Sequence, residues 1–284
     1  MRVYLTGADG LLGTALTRAL PPRWPVLGVS IRDFDIADGA AVERSITGFR
    51  PAVVVHAAAL ANVDACEKDP REAMRVNVAG THHVADTCAG NGIRLIQISS
   101  DYVFDGRHGG YREKDVPNPL SVYGMTKLAA ERVAQVVPDH LIVRTSWLYG
   151  DRPDQDGDQV ASLAVQLRAG RCPAAIADQF SSPTYVADLA AALVWLLRSK
   201  AAGTVHVANA GRASWHEVGL RVAKHLGGAP APVGGSECGF VAERPRDSHL
   251  SSDLLGTLGY QMPRWEDALD RYCEAWMPDA RLVP

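Results

Sequence analysis

The chain has 284 residues, of which 47% are hydrophobic and 21% are charged, and its formal net charge is −3. This composition is ordinary for a folded globular protein and excludes a collagen, a coiled coil or a disordered chain. A nearly neutral chain lacks the basic surface that nucleic acids and acidic membranes attract, so we expect neither as a partner.

The five cysteines lie far apart in the sequence and form no CxxC pair, which is typical of neither a disulfide framework nor a zinc site. The first ten residues turn glycine-rich without the long apolar run of a signal peptide. The longest apolar stretch, around Leu189–Leu197, is too short to cross a bilayer. These features predict a cytoplasmic protein with reduced cysteines.

Apolar strands and amphipathic helices alternate through the first half of the chain. In chain order, the predicted elements are strand Val3–Leu5, helix Leu11–Leu20, strand Val26–Val29, helix Ala40–Phe49, strand Ala52–His56, helix Arg71–Asn91, strand Leu95–Ser99, helix Ser121–Val137 and strand Leu141–Arg144. Strands that are apolar throughout and separated by helices indicate a parallel sheet covered on both faces. The pattern predicts an α/β protein with a Rossmann-type, doubly wound parallel sheet.

The alternation changes after Gly150. The predicted elements that follow are a polar loop at Asp151–Asp158, helices at Val160–Arg168 and Val186–Leu197, a further strand of the first sheet at Thr204–Ala208, a helix from Ser214 as N-cap to Leu226, a linker or loop at Gly227–Gly239 and a mixed segment at Asp253–Met277. We infer a first domain from residues 1–150 and about 184–209, and a smaller C-terminal lobe from about 151–183 and 210–284.

The loop after the first strand carries three glycines, Gly7, Gly10 and Gly13, and Leu11 and Leu12 begin the following helix. Glycines here permit a tight turn and a close approach to a pyrophosphate, which the helix N-terminus attracts. The spacing is GxxGxxG rather than GxGxxG, and a tight turn without a ligand is the alternative. At the start of a βαβ pattern, the motif predicts a dinucleotide-binding first domain.

The second strand ends near Ser30 and Arg32, where the usual fingerprint has an acidic residue for the ribose. A hydroxyl and a guanidinium can meet a 2′-phosphate, which favours NADPH over NADH. A solvated Arg32 without a ligand is the alternative, and NADH remains open as the cofactor.

Tyr123 and Lys127 are four residues apart in a predicted helix and therefore share one face. A nearby ammonium stabilises a tyrosinate, so such a tyrosine can exchange a proton with a substrate oxygen. Ser99 and Ser100 lie at the carboxyl end of the strand before it, where open α/β sheets bind their ligands. Each signal is weak alone, but their order predicts a carbonyl reductase site.

These motifs in this order resemble the extended short-chain dehydrogenase/reductases, and more closely the dTDP-4-dehydrorhamnose reductase family. The resemblance covers nearly the whole chain, and its most specific parts are DYVFDG at 101–106 and RTSWLYG at 144–150. It implies NADPH-dependent reduction of the C4 keto group of a nucleotide-linked, dTDP-type 4-keto-6-deoxyhexose.

The resemblance also implies roles for individual residues. Tyr123 is the acid, Lys127 its electrostatic partner and Ser100 the hydroxyl donor. With the residues above, the predicted cofactor site comprises Gly7, Gly10, Leu11, Leu12, Gly13, Ser30, Arg32, Asp35, Ile36, Ala57, Ala58, Ala59, Asn77, Ser99, Tyr123 and Lys127. The predicted substrate site comprises Val63, Ser100, Asp101, Tyr102, Trp147 and Arg244. Many relatives form dimers, so a homodimer is a further expectation.

The sequence departs from the family pattern at three positions. Ser100 replaces a threonine but keeps the hydroxyl, Ala61 stands where a threonine is common, and Asp247 replaces an asparagine before Ser248. These changes leave the particular sugar open.

Two other functions remain open at this stage. One is a non-catalytic regulatory subunit like that of methionine adenosyltransferase, which belongs to the same family. The other is a nucleotide-sugar epimerase or dehydratase with tightly bound NAD, for which Asp101 would supply a carboxylate. The histidines and carboxylates show no metal-ligand spacing, so no metal site is predicted.

Overall fold

The computed structural model describes residues 1–150 and 158–276. Its strands are β1 Val3–Thr6, β2 Val26–Val29, β3 Val53–His56, β4 Arg94–Ser100, β5 His140–Thr145, β6 Leu148–Tyr149, β7 Ala174–Ile176, β8 Phe180–Ser181, β9 Thr184–Tyr185, β10 Gly203–His206, β11 Ala213–Ser214 and β12 Ala231–Val233. Its α-helices are α1 Leu11–Ala19, α2 Gly39–Phe49, α3 Val63–Lys68, α4 Pro70–Met74, α5 Gly80–Asn91, α6 Val122–Ala134, α7 Gln159–Arg168, α8 Val186–Arg198, α9 Trp215–Leu226, α10 Asp253–Thr257 and α11 Trp265–Trp276.

Six parallel strands form the central sheet in the order β10-β5-β4-β3-β1-β2. Helices α1 and α8 bury residues such as Leu16 and Leu193 against one face, while α2, α5 and α6 bury residues such as Ile46 and Val84 against the other. The predicted α/β fold with a doubly wound parallel sheet is confirmed. The winding reverses between β1 and β3, and sheets of this kind bind ligands at the carboxyl ends of the strands beside such a reversal.

The predicted single helix Arg71–Asn91 is wrong in its middle. The chain forms α4, then a π-helical turn over Arg75–Ala79, then α5. A π turn inserts extra backbone into the helix and often marks a functional position. Helix α3 was not expected. It begins at Val63 because the Asn62 side chain accepts a hydrogen bond from the backbone N–H of Ala65.

The C-terminal half builds a second core, in which α7, α9 and α11 pack together through residues such as Val160, Val222 and Leu269. The expected cap of α9 is present, because Ser214 and Glu217 form a reciprocal capping box. The interpretation of Gly227–Gly239 as a linker is wrong, since it contains β12, which pairs with β7.

The loop predicted at Asp151–Asp158 lies outside the described residues except for Asp158, which caps α7. The division into a first domain and a C-terminal lobe stays a prediction. No helix within residues 1–150 and 158–276 is both long and apolar enough to cross a membrane.

A buried ion pair ties the centre of the sheet to α6. Arg144 on β5 donates from Nε and Nη2 to the two carboxylate oxygens of Glu131 over 2.8 and 2.7 Å. Ser99 on β4 donates its hydroxyl to the same carboxylate over 2.5 Å. Because both charged groups are withdrawn from water, each depends on the other for its stability.

Replacing Arg144 with methionine should destabilise the fold by about 3–5 kcal/mol, because the Glu131 carboxylate would stay buried without its partner. Equilibrium unfolding in urea measures this loss. The double variant Glu131→Gln with Arg144→Met removes both charges and should recover most of it. A single variant as stable as the wild type would contradict the stabilising role of the pair.

Candidate active site

A cavity of about 730 Å³ opens at the carboxyl ends of β1, β3 and β4. It brings together residues that are distant in sequence but end neighbouring parallel strands, as the fold requires. The predicted site residues that line it are Gly7, Gly10, Leu11, Leu12, Gly13, Ala57, Ala59, Ser99, Ser100, Tyr123, Lys127 and Trp147.

The glycine loop is packed so tightly that side chains would not fit. Gly7 has φ +68°, and a Cβ there would lie 2.9 Å from the backbone nitrogen of Ala58. A Cβ on Gly13 would lie 2.1 Å from the carbonyl oxygen of Gly7. Helix α1 begins without a side-chain cap, so the N–H groups of its first turn can bind an anion. This cradle fits the pyrophosphate of a dinucleotide.

A buried hydrogen-bond relay holds the opposite wall of the cavity. The Thr6 hydroxyl accepts from the N–H groups of Ala57 and Ala58, both over 3.1 Å, and therefore donates to Nδ1 of His56 over 2.7 Å. Nε2 of His56 then carries the hydrogen and donates to Thr81 over 3.1 Å. Burial, with a smaller effect from the Lys127 charge, lowers the pKa of His56 to about 3, so the ring stays neutral. This relay was not predicted from the sequence.

The three predicted catalytic side chains meet at one end of the cavity. The Ser100 and Tyr123 side chains both line it there. Burial raises the pKa of Tyr123 above its ordinary value, and the neighbouring Ser100 hydroxyl lowers it only in part. The expected lowering of the Tyr123 pKa by Lys127 is not found here, and the Lys127 ammonium donates to the carbonyl of Ile98 over 2.7 Å. Burial lowers the pKa of Lys127 to about 8.

Asn77, which we expected in the cofactor site, lies in the π turn and does not line the cavity. Its side-chain oxygen accepts from the backbone N–H of Leu60 over 2.7 Å. Its amide nitrogen donates to the carbonyl of Leu60 over 3.1 Å and to the Thr126 hydroxyl over 2.9 Å. Asn77 therefore clamps the loop after β3 to α6, the helix that carries Tyr123 and Lys127.

A second cavity of about 360 Å³ adjoins the first and is lined by four of the predicted substrate residues, Val63, Tyr102, Trp147 and Arg244. Arg244 donates to Asp64 over 2.7 Å and lies over the ring of Phe240 at 3.9 Å. The backbone of Trp147 has φ +39°, which is unusual for a bulky residue and often accompanies function.

Trp147 and Trp215 line both cavities. Their rings stack with centroids 4.3 Å apart and an angle of 6° between the planes. Trp215 was not predicted from the sequence. The feature that could have indicated it is a large aromatic residue directly after the N-cap Ser214, a position that faces out from the start of a helix.

Other predicted residues lie away from the two cavities. Ser30 donates its backbone N–H to Asp33 over 2.8 Å, and Arg32, 85% exposed, lies 3.7 Å from Asp9. Asp35 accepts from Arg75 over 2.6 Å. The remaining three are Ile36, which is buried against Gly80, Ala58, which is held by Thr6, and Asp101, which is buried behind Ser100.

The geometry defines a class of protein. A parallel sheet whose cleft combines a glycine loop with serine, tyrosine and lysine side chains is that of a short-chain dehydrogenase/reductase. No group of three or more metal-ligating side chains occurs among the residues that the structure describes.

Comparison with known proteins narrows the class to a family. Residues 1–277 match the model of the RmlD substrate binding domain, and the chain belongs to that family. It is 39% identical to a dTDP-4-dehydrorhamnose reductase of Streptomyces griseus, over 94% of this chain and 91% of the relative. It is 35% identical to a dTDP-4-keto-6-deoxy-D-glucose reductase of Streptomyces niveus, over 94% of this chain and 95% of that relative.

Among solved structures, a dTDP-4-dehydrorhamnose reductase from Bacillus anthracis in complex with NADP superposes with a TM-score of 0.91. It is 34% identical, and the match covers 96% of this chain and 99% of that one. The predicted family and reductase class are confirmed, and the NADP of that relative agrees with the predicted type of cofactor.

Replacing Asn77 with alanine should destabilise the protein by roughly 1–3 kcal/mol, because the backbone N–H of Leu60 loses its partner and the Thr126 hydroxyl loses one hydrogen bond. Urea unfolding measures the change. Asn91→Ala is the control, since Asn91 is exposed and its only described bond reaches back one helical turn to Thr87. Equal effects of the two changes would argue against the clamp.

Proposed function

We propose that this chain catalyses the NADPH-dependent reduction of the C4 keto group of a dTDP-linked 4-keto-6-deoxyhexose. The observation that carries the proposal is the meeting of Ser100, Tyr123 and Lys127 beside the glycine loop in one cavity. The named activities of the relatives, two reductases of dTDP-linked keto sugars, support the same substrate class.

The tight cradle at Gly7 and Gly13 and the uncapped start of α1 fit a dinucleotide, which supplies a hydride from its nicotinamide ring when bound. Tyr123 donates its phenolic proton to the alkoxide oxygen that forms at C4. Ser100 donates a hydrogen bond to the same oxygen and orients the carbonyl. Lys127 lines the same cavity and brings a positive charge to it.

The second cavity suits the remainder of such a substrate. The stacked Trp147 and Trp215 present an apolar wall between the two cavities, which fits the methyl group of a 6-deoxy sugar. The guanidinium of Arg244 lies in the wall of the second cavity and can bind a diphosphate oxygen.

The two other functions are less well supported. An epimerase or dehydratase would use a carboxylate in the cleft, whereas the Asp101 carboxyl is 1% exposed and hydrogen-bonded to serines. A regulatory subunit has no need of the convergence of Ser100, Tyr123 and Lys127. The identity of the sugar and the formation of a homodimer stay predictions.

Tyr123→Phe should lower kcat by about 10²–10⁴-fold, because the proton donor to the alkoxide is removed. The assay follows NADPH consumption with a dTDP-4-keto-6-deoxyhexose. NADPH binding by the variant, measured by fluorescence titration, should be nearly unchanged. Tyr260→Phe, which changes a partly buried tyrosine packed against Trp195, is the control and should keep full turnover.

The two measurements distinguish a wrong proton donor from a wrong substrate. Normal turnover by Tyr123→Phe would show that the assigned proton donor is wrong. A wild-type protein that binds NADPH and consumes none with this substrate would show that the substrate is wrong.

Arg32→Ala should raise the KM for NADPH about two- to fivefold and leave the KM for NADH unchanged, because an exposed ion pair with the 2′-phosphate contributes little. Steady-state kinetics with both cofactors measures this difference. Arg23→Ala removes an exposed positive charge before β2 rather than after it and serves as the control. Unchanged values for both cofactors would rule out Arg32 as a determinant of the preference.

A further inference from the structure

Asp101 is a carboxyl group enclosed by serine hydroxyls directly behind the catalytic Ser100. It begins a short 3-10 turn after β4 and is 1% exposed. One carboxyl oxygen accepts from Ser181 over 2.7 Å and from Ser248 over 2.5 Å, and the other accepts from Ser100 over 3.1 Å. Ser146 completes this serine cage through a hydrogen bond with Ser181.

Asp101 forms no ion pair with any lysine, arginine or histidine that the structure describes. The phenols of Tyr102 and Tyr123 lie close enough that the Asp101 charge raises the pKa of each. An unpaired carboxylate withdrawn from water is strongly disfavoured. Burial accordingly raises the pKa of Asp101, and the serine hydroxyls lower it only in part.

The serine cage can also accommodate a proton on Asp101. Five contacts join its members, namely Ser100–Asp101, Ser181–Asp101, Ser248–Asp101, Ser248–Ser181 and Ser146–Ser181. With the four serine hydrogens alone, Ser248 shares one hydrogen between Asp101 and Ser181. A protonated Asp101 that donates to Ser248 gives each contact its own hydrogen.

The protonation of Asp101 decides what Ser100 can do. An anionic carboxylate would hold the single Ser100 hydroxyl hydrogen in a charge-assisted bond. It would also place a negative charge next to the oxygen that becomes an alkoxide during reduction, which is opposite to what the transition state needs. A neutral carboxyl binds that hydrogen weakly enough for it to turn toward the substrate.

We propose that Asp101 is a positioning residue that is kept as a neutral carboxylic acid, with its proton shared within the serine cage, so that Ser100 can donate to the substrate oxygen. A carboxylic acid that stays neutral at physiological pH in a dry site has precedent in enzyme active sites. The catalytic part of this inference rests on the proposed reductase activity, whereas the protonation state does not.

Infrared difference spectroscopy of the full chain at neutral pH tests the protonation state without substrate. The spectrum of the wild type minus Asp101→Asn should contain the C=O stretching band of a protonated carboxyl group, and the band should shift in D₂O. Absence of that band from the wild type would overturn the proposal.

Two further variants guard against misinterpretation of that band. Ser248→Ala keeps Asp101 but removes one hydrogen bond to it, so the band should persist at a higher frequency. Asp105→Asn is the matched control and should remove no such band. Partial burial raises its pKa, but bonds from Tyr111, Asn118 and the Arg107 backbone, together with the Arg107 charge, outweigh this and lower the pKa.

Kinetics test the role of Asp101 in the proposed reaction. Asp101→Asn keeps a neutral group with a donor and an acceptor, so kcat should fall by less than about tenfold, with little change in KM. Asp105→Asn should leave both values unchanged. A loss in Asp101→Asn as large as that in Tyr123→Phe would overturn the neutral positioning role. Because the infrared band needs no substrate, a wrong choice of sugar would leave that test intact.

Discussion

The close approach of the carboxyl ends of β1 and β3 is the constraint on which the rest of the site depends. At this point the backbone of Gly7 lies against Ala58, which leaves no room for a side chain, and polar groups become buried. The Thr6 hydroxyl accepts hydrogen bonds from two backbone N–H groups and donates a hydrogen bond to His56. One threonine and one neutral histidine thus supply the hydrogen-bond partners that the buried polar groups at the ends of β1 and β3 need, and they hold both walls of the cavity.

The same polar network continues to α6, the helix that carries Tyr123 and Lys127. His56 donates to Thr81, Thr81 donates to the carbonyl of Asn77, and the Asn77 side chain donates to Thr126 on α6. The π turn over Arg75–Ala79 gives Asn77 a position from which it reaches both Leu60 and α6. The positions of the cofactor wall and of Tyr123 are therefore coupled through hydrogen bonds rather than through apolar packing alone.

Residues that follow one strand or share one helix were predictable from the sequence. Ser100 and Tyr123 meet because the strand end and the helix start are adjacent in any parallel α/β sheet. The π turn was not predictable, because Gly80 directly after it is the only break signal near the turn, and a single glycine is tolerated inside a continuous helix. The serine cage and the Trp147–Trp215 stack depend on segments far apart in sequence, which no local pattern reveals.

Burial sets the charge states of the two titratable side chains, Tyr123 and Lys127, that line the cavity. It raises the pKa of Tyr123, so this side chain rests in its protonated form, ready to donate. It also lowers the pKa of Lys127 to about 8, which still leaves the ammonium charged at neutral pH. Hydride transfer to a ketone creates a negative charge on oxygen in this dry cavity. In the proposed reaction, a protonated Tyr123 in the same cavity as the charged Lys127 can neutralise that oxygen by giving up its proton.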